Sequence, residues 1–331
     1  TSAIMPYYSA PKGKEFEEVG FSFNKAIIRD SLQGKLGFRG IINSDTGPIE
    51  MMPWGVENIS IPERYQKALN AGVDIFSGAA DPTTLIEVVK KGLVTEERIN
   101  QSVTKLLKEK FDLGLFENPY VNVENAVKTV GNKEAVAAAD LALRKSIVLL
   151  RNDDKRLPLA KKTKVYFETY FNTGRNAAEA IKVSKPNYPG LAFVSTKEEA
   201  DVVLLWIVPT SGGLFSSQGS KIDLNLSANR VDVKHVNEVL NAKPTILAIN
   251  YTNPWVIEEI DKGAAKSIIA TFGTTQDALL DIVTGAYNPS GKMPFTTPVS
   301  QAAVDANKSD VPGYMEGPGY GLFQFGLGLS Y

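Results

Sequence analysis

The sequence predicts an α/β protein built from two parts that differ in their pattern of strands and helices. Short apolar, strand-like runs alternate with amphipathic helical segments along most of the chain, and a polar stretch interrupts the alternation between residues 117 and 133. Such alternation is typical of mainly parallel sheets covered by helices. A length of 331 residues is enough chain for about two domains of roughly 150 residues each.

The first part reads as three strands alternating with helices. Apolar periodicity predicts strands at 3–8, 40–45 and 73–76, and helices at 21–33, 62–70, 83–91 and 96–111. Three strands cannot close a barrel, so this part is either an open sheet or the later portion of a longer structure. A strand at the very first residues favours the second interpretation, and the sequence shows no signal-peptide pattern at Thr1.

The second part begins with an alanine-rich helix and returns to the α/β pattern. Strands are predicted at 164–167, 202–207, 245–250 and 267–270, and helices at 134–147, 176–182, 231–241 and 276–284. This order favours a doubly wound sheet, in which the loop 209–221 lies where such sheets bind ligands. The tail 313–331, rich in glycine and aromatic residues, is predicted to pack as an irregular or strand-like lid.

Composition excludes several classes of function. The chain has 36 Lys and Arg against 37 Asp and Glu, one histidine and no cysteine. A net charge of −1 gives no strong electrostatic case for nucleic acid or an anionic membrane, and no apolar run reaches the ~18–20 residues of a membrane helix. Without thiols and with only His235, we predict no metal site, no cofactor and carboxylate acid–base chemistry. His235 is interpreted as a surface or partly packed side chain on a helix.

Six segments, taken in order, are similar to glycoside hydrolase family 3. They are GFRGIINSD at 37–45, ALNAGVDI at 68–75, RIN through GLFENP at 98–119, KSIVLLRN with LPL at 145–159, NPSGKMP at 288–294 and FQFGLGLSY at 323–331. Each is weak alone, but together they span nearly the whole chain. The resemblance implies a retaining, exo-acting β-glycosidase, most often a β-glucosidase, whose substrate is a β-glucoside or a short β-linked oligosaccharide.

The resemblance also implies an architecture, a (β/α)8-type barrel followed by an (α/β)6 sandwich. Residues 1–116 would then be the carboxy-terminal part of the barrel, 117–133 a linker and 134–331 the sandwich domain with its tail. The expected partner is the amino-terminal part of the same enzyme, without which we expect the chain to be neither stable nor active. Oligomeric state, a homo-oligomer included, and the compartment (periplasmic, secreted or cytoplasmic) stay open.

Asp45 is the candidate nucleophile. It ends a strand that has the pattern of a buried one, and functional residues of barrels lie at the carboxyl ends of strands. A retaining glycosidase needs an ionised carboxylate that attacks the anomeric carbon. The alternative is an Asp that caps the following turn, and the resemblance favours the nucleophile. The nearby Glu50 and Glu57 are interpreted as solvated.

Tyr8 and Trp54 are the candidate substrate-binding residues. By the resemblance, Tyr8 lies on the strand that carries a tyrosine near the nucleophile, where its phenol can hydrogen-bond the Asp45 carboxylate. Packing in the core is an equal alternative, and Tyr7 is an open choice because neighbouring strand residues alternate faces. Trp54 follows the nucleophile loop and can stack on a sugar or simply pack in the loop.

The general acid/base is unassigned. The resemblance places a glutamate in the loop that here contains Ser216, Ser217 and Gln218, and none of these is a carboxylate. A glutamine cannot donate a proton at useful acidity. Either Gln218 replaces the acid, or the acid comes from the amino-terminal part, or another carboxylate serves, with Asp223 and Glu316 the local candidates.

Two other functions therefore stay open. One is a β-N-acetylglucosaminidase of the same family, whose acid would be an Asp–His pair in the amino-terminal part. The other is a sugar-binding relative with impaired catalysis, supported only by the missing glutamate.

Overall fold

The structure is a computed structural model that describes residues 1–13, 15–79, 82–171, 180–211, 223–260, 262–308, 311, 313, 315 and 319–331. The chain divides into two compact units, Thr1–Ala126 and Val127–Tyr331. In the described residues, the first unit has one three-stranded sheet and the second has a seven-stranded and a two-stranded sheet. Each unit has its own hydrophobic core and is described by itself.

The first unit is a short parallel sheet with helices between its strands. Its strands are β1 (Ala3–Ile4), β2 (Ile41–Thr46) and β3 (Ile75–Ser77). A 3-10 turn (Phe21–Phe23) and a π-helix (Ala26–Lys35) precede β2, and the α-helices are α1 (Ile61–Ala71), α2 (Thr83–Lys90), α3 (Glu96–Asp112) and α4 (Val123–Thr129), the last crossing the boundary between the units.

The strand order in this sheet is β1-β2-β3, and both pairings are parallel. The carboxyl ends of all three strands therefore lie at the same end of the sheet. α/β proteins place functional residues at this end. The α/β class is confirmed for this unit, and closure of the strands into a barrel remains a prediction.

Helix α1 shows why the sequence folds as it does around β2. Ser60 and Glu63 form a reciprocal capping box at its start, which satisfies backbone amides that have no helical partner. The helix ends at Gly72, whose φ of 118° suits a residue without a Cβ. Its apolar face is buried in a cluster with β2 and the π-helix that includes Tyr65, Ala68, Leu69, Ile28 and Ile42.

The first helix that lies wholly within the second unit is α5 (Lys133–Ser146). The strands of this unit are β4 (Val148–Asn152), β5 (Lys164–Phe171), β6 (Ala180–Ser184), β7 (Ala192–Phe193), β8 (Val202–Val208), β9 (Thr245–Asn250), β10 (Ala265–Thr271), β11 (Thr297–Pro298) and β12 (Gly321–Phe323). The helices α6 (Val233–Ala242), α7 (Gln276–Thr284) and α8 (Gln301–Asp305) and 3-10 turns at Asp153–Lys155 and Ser227–Asn229 complete it.

The main sheet of this unit has the order β4-β10-β9-β8-β5-β6, and β7 pairs with the start of β5. The central pairs are parallel, whereas β4 and β6 run antiparallel to their neighbours. Buried residues of α6 join the cluster on one face of the sheet, and those of α7 join the cluster on the other. The sheet is therefore covered by helices on both faces.

One predicted element is wrong. The helix predicted over 176–182 ends in what is strand β6, which pairs antiparallel with β5, and residues 176–179 lie outside the described residues. β-Branched side chains at Ile181 and Val183 favour a strand once a partner strand is available. Smaller differences are the two-residue β1, the π-helix near the start, and α4 within the stretch predicted as a linker.

Candidate active site

Asp45 lies at the carboxyl end of β2, next to its last residue. Its side chain is half-buried, and its Oδ1 accepts a hydrogen bond of 2.6 Å from the backbone N–H of Thr46. The backbone at Asp45 has φ 66°, in the left-handed region that residues with a Cβ rarely adopt. The candidate nucleophile thus has an unusual backbone conformation at the carboxyl end of β2, and its side chain is held by the N–H of Thr46.

Tyr8, and not Tyr7, lies beside Asp45. The Tyr8 hydroxyl donates to the carbonyl of Thr46 at 3.3 Å. Burial, a hydrogen bond with the Asp45 side chain and the charge of that carboxylate raise the pKa of Tyr8 to about 12. The phenol therefore stays protonated near neutral pH and keeps a hydrogen to donate. Tyr7 is 64% exposed, and its ring contacts Phe21 instead.

Trp54 packs edge-to-face against Tyr8, with ring centroids 5.7 Å apart and an angle of 80° between the planes. Its carbonyl accepts a hydrogen bond of 2.8 Å from the N–H of Gly20. The next residue, Gly55, has φ 82°, and a Cβ there would lie 2.3 Å from the carbonyl oxygen of Glu18. A glycine is thus needed for the approach that brings Trp54 to Tyr8, and the three predicted site residues lie together.

Arg64 holds the loop that carries Trp54, a role that sequence reasoning missed. Its guanidinium donates to four loop carbonyls at 2.8 to 3.1 Å, those of Ile49, Val56, Glu57 and Ile59. A planar guanidinium can satisfy several carbonyls at once in a fixed geometry. In the sequence, Arg64 looks like any charged residue near the start of a helix. No local signal therefore reveals that it holds the loop.

The two glutamates of the loop are exposed to solvent. Glu50 and Glu57 both lie at the surface, as the sequence analysis expected. Hydrogen bonds from its own N–H and that of Gly55 lower the pKa of Glu57. An ionised, solvated carboxylate of this kind is poorly suited to donate a proton near neutral pH.

A buried charge network at the amino ends of the strands anchors the start of β2. Asp74, whose side chain is fully buried, accepts hydrogen bonds from the N–H of Ile42 at 3.0 Å and from Ser102 at 2.5 Å. It also pairs with Lys105 at 2.7 Å and with Arg98 at 3.5 Å. Burial lowers the pKa of Arg98, and the charge of Asp74 opposes that shift. Polar groups at this end of parallel strands serve stability.

Of the candidate acid/base residues, Asp223 is the one that the structure describes. Ser216, Ser217, Gln218 and Glu316 lie outside the described residues. Asp223 is exposed, and its Oδ1 accepts a hydrogen bond of 2.9 Å from the N–H of Asn225. That contact is the Asx turn expected of an Asp in a loop.

His235 is partly packed, and its partner was not anticipated. Its Nε2 lies 2.5 Å from Oε1 of Glu168, a glutamate of β5 that is only 1% exposed. The rings of His235 and Tyr170 lie 5.7 Å apart. The pair joins α6 to the sheet within the second unit, which is a structural arrangement.

The described residues contain no group of three or more His, Asp or Glu placed to hold a metal ion. In the same part of the chain, no helix combines the length and the hydropathy needed to cross a bilayer.

Comparison with family models gives two matches along the chain. Residues 2–108 match the glycosyl hydrolase family 3 N terminal domain, and residues 147–331 match the glycosyl hydrolase family 3 C-terminal domain. The second match alone covers more than half of the chain. The chain belongs to glycosyl hydrolase family 3, and the family inferred from the six sequence segments is confirmed.

Several curated relatives align with almost the whole chain. A probable beta-glucosidase C from Aspergillus flavus is 40% identical over 345 aligned residues, which cover 99% of this chain and 52% of the relative. A periplasmic beta-glucosidase/beta-xylosidase from Dickeya chrysanthemi is 33% identical over 360 residues, covering 100% of this chain and 52% of the relative. The chain thus spans about half the length of the curated relatives it matches.

Solved structures support the fold. The crystal structure of a beta-glucosidase from Listeria innocua in complex with isofagomine superposes with a TM-score of 0.72 at 22% identity, covering 95% of this chain and 50% of that one. A beta-glucosidase involved in saponin metabolism from intestinal bacteria gives the same TM-score at 20% identity.

Proposed function

We propose that this chain carries the nucleophile of a retaining, exo-acting β-glycosidase that releases terminal β-linked glucose. The observation that carries the proposal is Asp45 itself: a half-buried carboxylate at the carboxyl end of a parallel strand, beside Tyr8 and Trp54. A carboxylate fixed beside aromatic side chains suits a sugar whose C–H face is apolar and whose anomeric carbon must be attacked from one side.

In the proposed reaction, Asp45 attacks the anomeric carbon and the glycosidic bond breaks. A general acid protonates the departing oxygen, and a covalent glucosyl ester forms on Asp45. Water, deprotonated by the same acid/base group, then attacks the anomeric carbon and releases β-glucose and the free carboxylate. Tyr8 donates a hydrogen bond at the nucleophile, and Trp54 forms a wall of the sugar site.

The proposal assigns the acid/base role to a residue other than the charged residues described around Asp45. In a retaining enzyme its carboxyl lies about 5–5.5 Å from the nucleophile. A Gln218→Glu variant tests the loop position directly. Faster hydrolysis of substrates with poor leaving groups would assign the acid to position 218. Unchanged hydrolysis would assign it to another carboxylate.

Activity is proposed to need more chain than the first unit contains. β1 and β3 form the two edges of the three-stranded sheet, and exposed strand edges are normally paired or covered. The relatives are about twice as long as the stretch aligned here. We therefore propose that the partner is the amino-terminal part of the same enzyme, and that activity belongs to the complete protein.

The substrate assignment rests on the relatives, most of which are named beta-glucosidase and some of which are named beta-xylosidase. Aryl β-glucoside, β-xyloside and N-acetyl-β-glucosaminide, compared by kcat/KM in the complete protein, decide the class. The proposal expects the glucoside to be the fastest. Preference for the N-acetylglucosaminide would support the alternative activity, and glucose binding without turnover of any of the three would indicate an impaired relative.

Azide rescue of an Asp45→Gly variant tests the role of the carboxylate. With 2,4-dinitrophenyl β-glucoside, whose leaving group needs little protonation, the variant should be inactive alone and active with azide. Azide would take the place of Asp45 and give α-glucosyl azide, the product of attack from the nucleophile's side. Formation of β-glucosyl azide would instead make Asp45 the acid/base, and an active variant without azide would remove it from the reaction.

A further inference from the structure

The strand that carries Asp45 contains a bulge at the site. Asn43 of β2 is opposite Ile75 of β3, and Thr46 is opposite Ser77. Three steps along β2 therefore match two steps along β3, which leaves one extra residue on β2. Bulges next to active sites redirect a side chain. Asp45, with its φ of 66°, lies within this bulge.

Asn43 holds the backbone of the bulge through its side chain. Its Oδ1 accepts the N–H of Asp45 at 3.1 Å and the hydroxyl of Ser77 at 2.7 Å. Both partners are donors, so the amide oxygen, with its two lone pairs, is the atom that suits this position. Asn43 thereby connects the unusual backbone at Asp45 to the neighbouring strand.

The other side of the Asp45 backbone is held by Ser44. The Ser44 hydroxyl donates to the carbonyl of Asp45 at 2.8 Å and receives the N–H of Ser77 at 3.3 Å. Ser44 is fully buried, and its own carbonyl accepts the hydroxyl of Ser22 at 3.1 Å. The N–H and the carbonyl of Asp45 are therefore each bonded to a side chain that also contacts Ser77.

A left-handed backbone costs energy in a residue with a Cβ, less in Asp than in most residues, and surrounding contacts can offset that cost. We infer that Asn43 and Ser77 are positioning residues that hold Asp45 in its bulged conformation and so aim its carboxylate at the anomeric carbon. This inference rests on the proposed function. It predicts that loss of the Asn43 contacts lets the backbone relax and turns the carboxylate away from the substrate.

The test compares Asn43→Ala, Ser77→Ala, Ser77→Thr and the double alanine variant in the complete protein. A misplacement of about 1 Å can cost about 100-fold in rate, so Asn43→Ala should lower kcat/KM for 2,4-dinitrophenyl β-glucoside by about that factor. Ser77→Ala should cost less, and Ser77→Thr, which keeps the hydroxyl, should restore most of the loss. Because Ser77 acts through Asn43, the double variant should resemble Asn43→Ala.

A matched control separates positioning from folding. Thr95→Ala removes one side-chain hydrogen bond, the one that caps α3 at the N–H of Arg98. It should lower Tm about as much as Ser77→Ala and leave kcat/KM unchanged. Competitive inhibition by glucose should change little in all the variants. The inference would be overturned if Asn43→Ala kept the wild-type kcat/KM. It would also be overturned if Thr95→Ala lowered kcat/KM as much as Asn43→Ala does.

A crystal structure of the complete Asn43→Ala protein makes the inference independent of the proposed activity. A negative φ at Asp45 in that structure would support the inference even if the enzyme had another substrate. A φ that stays near 66° would refute it, even if the wild-type enzyme hydrolysed glucosides as proposed. Absence of glycosidase activity in the wild-type protein would count against the proposed function alone.

Discussion

Replacing Asp74 by asparagine should destabilise β2, the strand that carries Asp45, far more than breaking an ion pair of the same length at the surface. Lys105 contacts Asp74 at 2.7 Å, and Lys67 contacts Glu17 at the same 2.7 Å. The carboxylate of Asp74 is fully buried, whereas that of Glu17 is 55% exposed. The two pairs thus have the same Nζ–O distance, and they differ in burial and in the further contacts that the Asp74 carboxylate makes.

The magnitude follows from what each substitution leaves behind. Asp74→Asn leaves the nearly buried guanidinium of Arg98 without a counter-charge, and such a loss costs about 3–5 kcal/mol. Glu17→Gln leaves a solvated ammonium on Lys67, which costs about 0–1 kcal/mol because water replaces the partner. The difference between the variants should therefore be at least about 2 kcal/mol.

Hydrogen exchange measured by mass spectrometry on the complete protein reads this difference locally. Peptides covering Ile41–Thr46 and Glu96–Asp112 report the free energy of opening of β2 and α3. Asp74→Asn should accelerate exchange in both by a factor of roughly 100 or more, and Glu17→Gln by less than about tenfold. Similar exchange in the two variants would refute the reasoning that burial gives the Asp74 network its strength.

Three further variants test the site and the second unit. Tyr8→Phe should lower kcat/KM for an aryl β-glucoside roughly 10- to 100-fold, the value of a hydrogen bond at a charged group, while Tyr7→Phe, the adjacent control, should not. Arg64→Lys should raise KM about tenfold with little change in kcat, because an ammonium cannot hold four loop carbonyls. A wild-type KM in steady-state kinetics would contradict this. Glu168→Gln should lower Tm and leave kcat/KM unchanged, since its contact with His235 lies within the second unit; unchanged Tm would contradict the structural role of the pair.

Much of the fold follows from local patterns in the sequence. The strand that contains Asp45, the helix α1 and the helix α7 begin and end close to their predicted bounds, because periodicity, capping residues and terminal glycines all act locally. The exception at Ile181 and Val183 depends on pairing with β5. A pattern that suits a short helix became a strand because a neighbouring strand was available to bond with.

The sequence predicts the candidate residues of the site but not the contacts that hold them in place. Asp45 and Tyr8 are predicted from segments that resemble the family and Trp54 from its place after the Asp45 loop, and the structure brings the three side chains together. The bulge at Asp45 depends on Ser77, which lies 34 positions from its partner Asn43, and nothing in either local sequence reveals the contact. Positioning residues of this kind are defined by tertiary contacts.

The measurement that tests the central claim most directly is covalent trapping of the nucleophile. The complete protein would be inactivated with 2,4-dinitrophenyl 2-deoxy-2-fluoro-β-glucoside, whose fluorine slows breakdown of the intermediate, and digested for peptide mass spectrometry. We predict a single fluoroglucosyl ester on Asp45, with protection by glucose and no labelling of an Asp45→Asn variant. A label on any other carboxylate, or an active enzyme that is never labelled, would contradict the account.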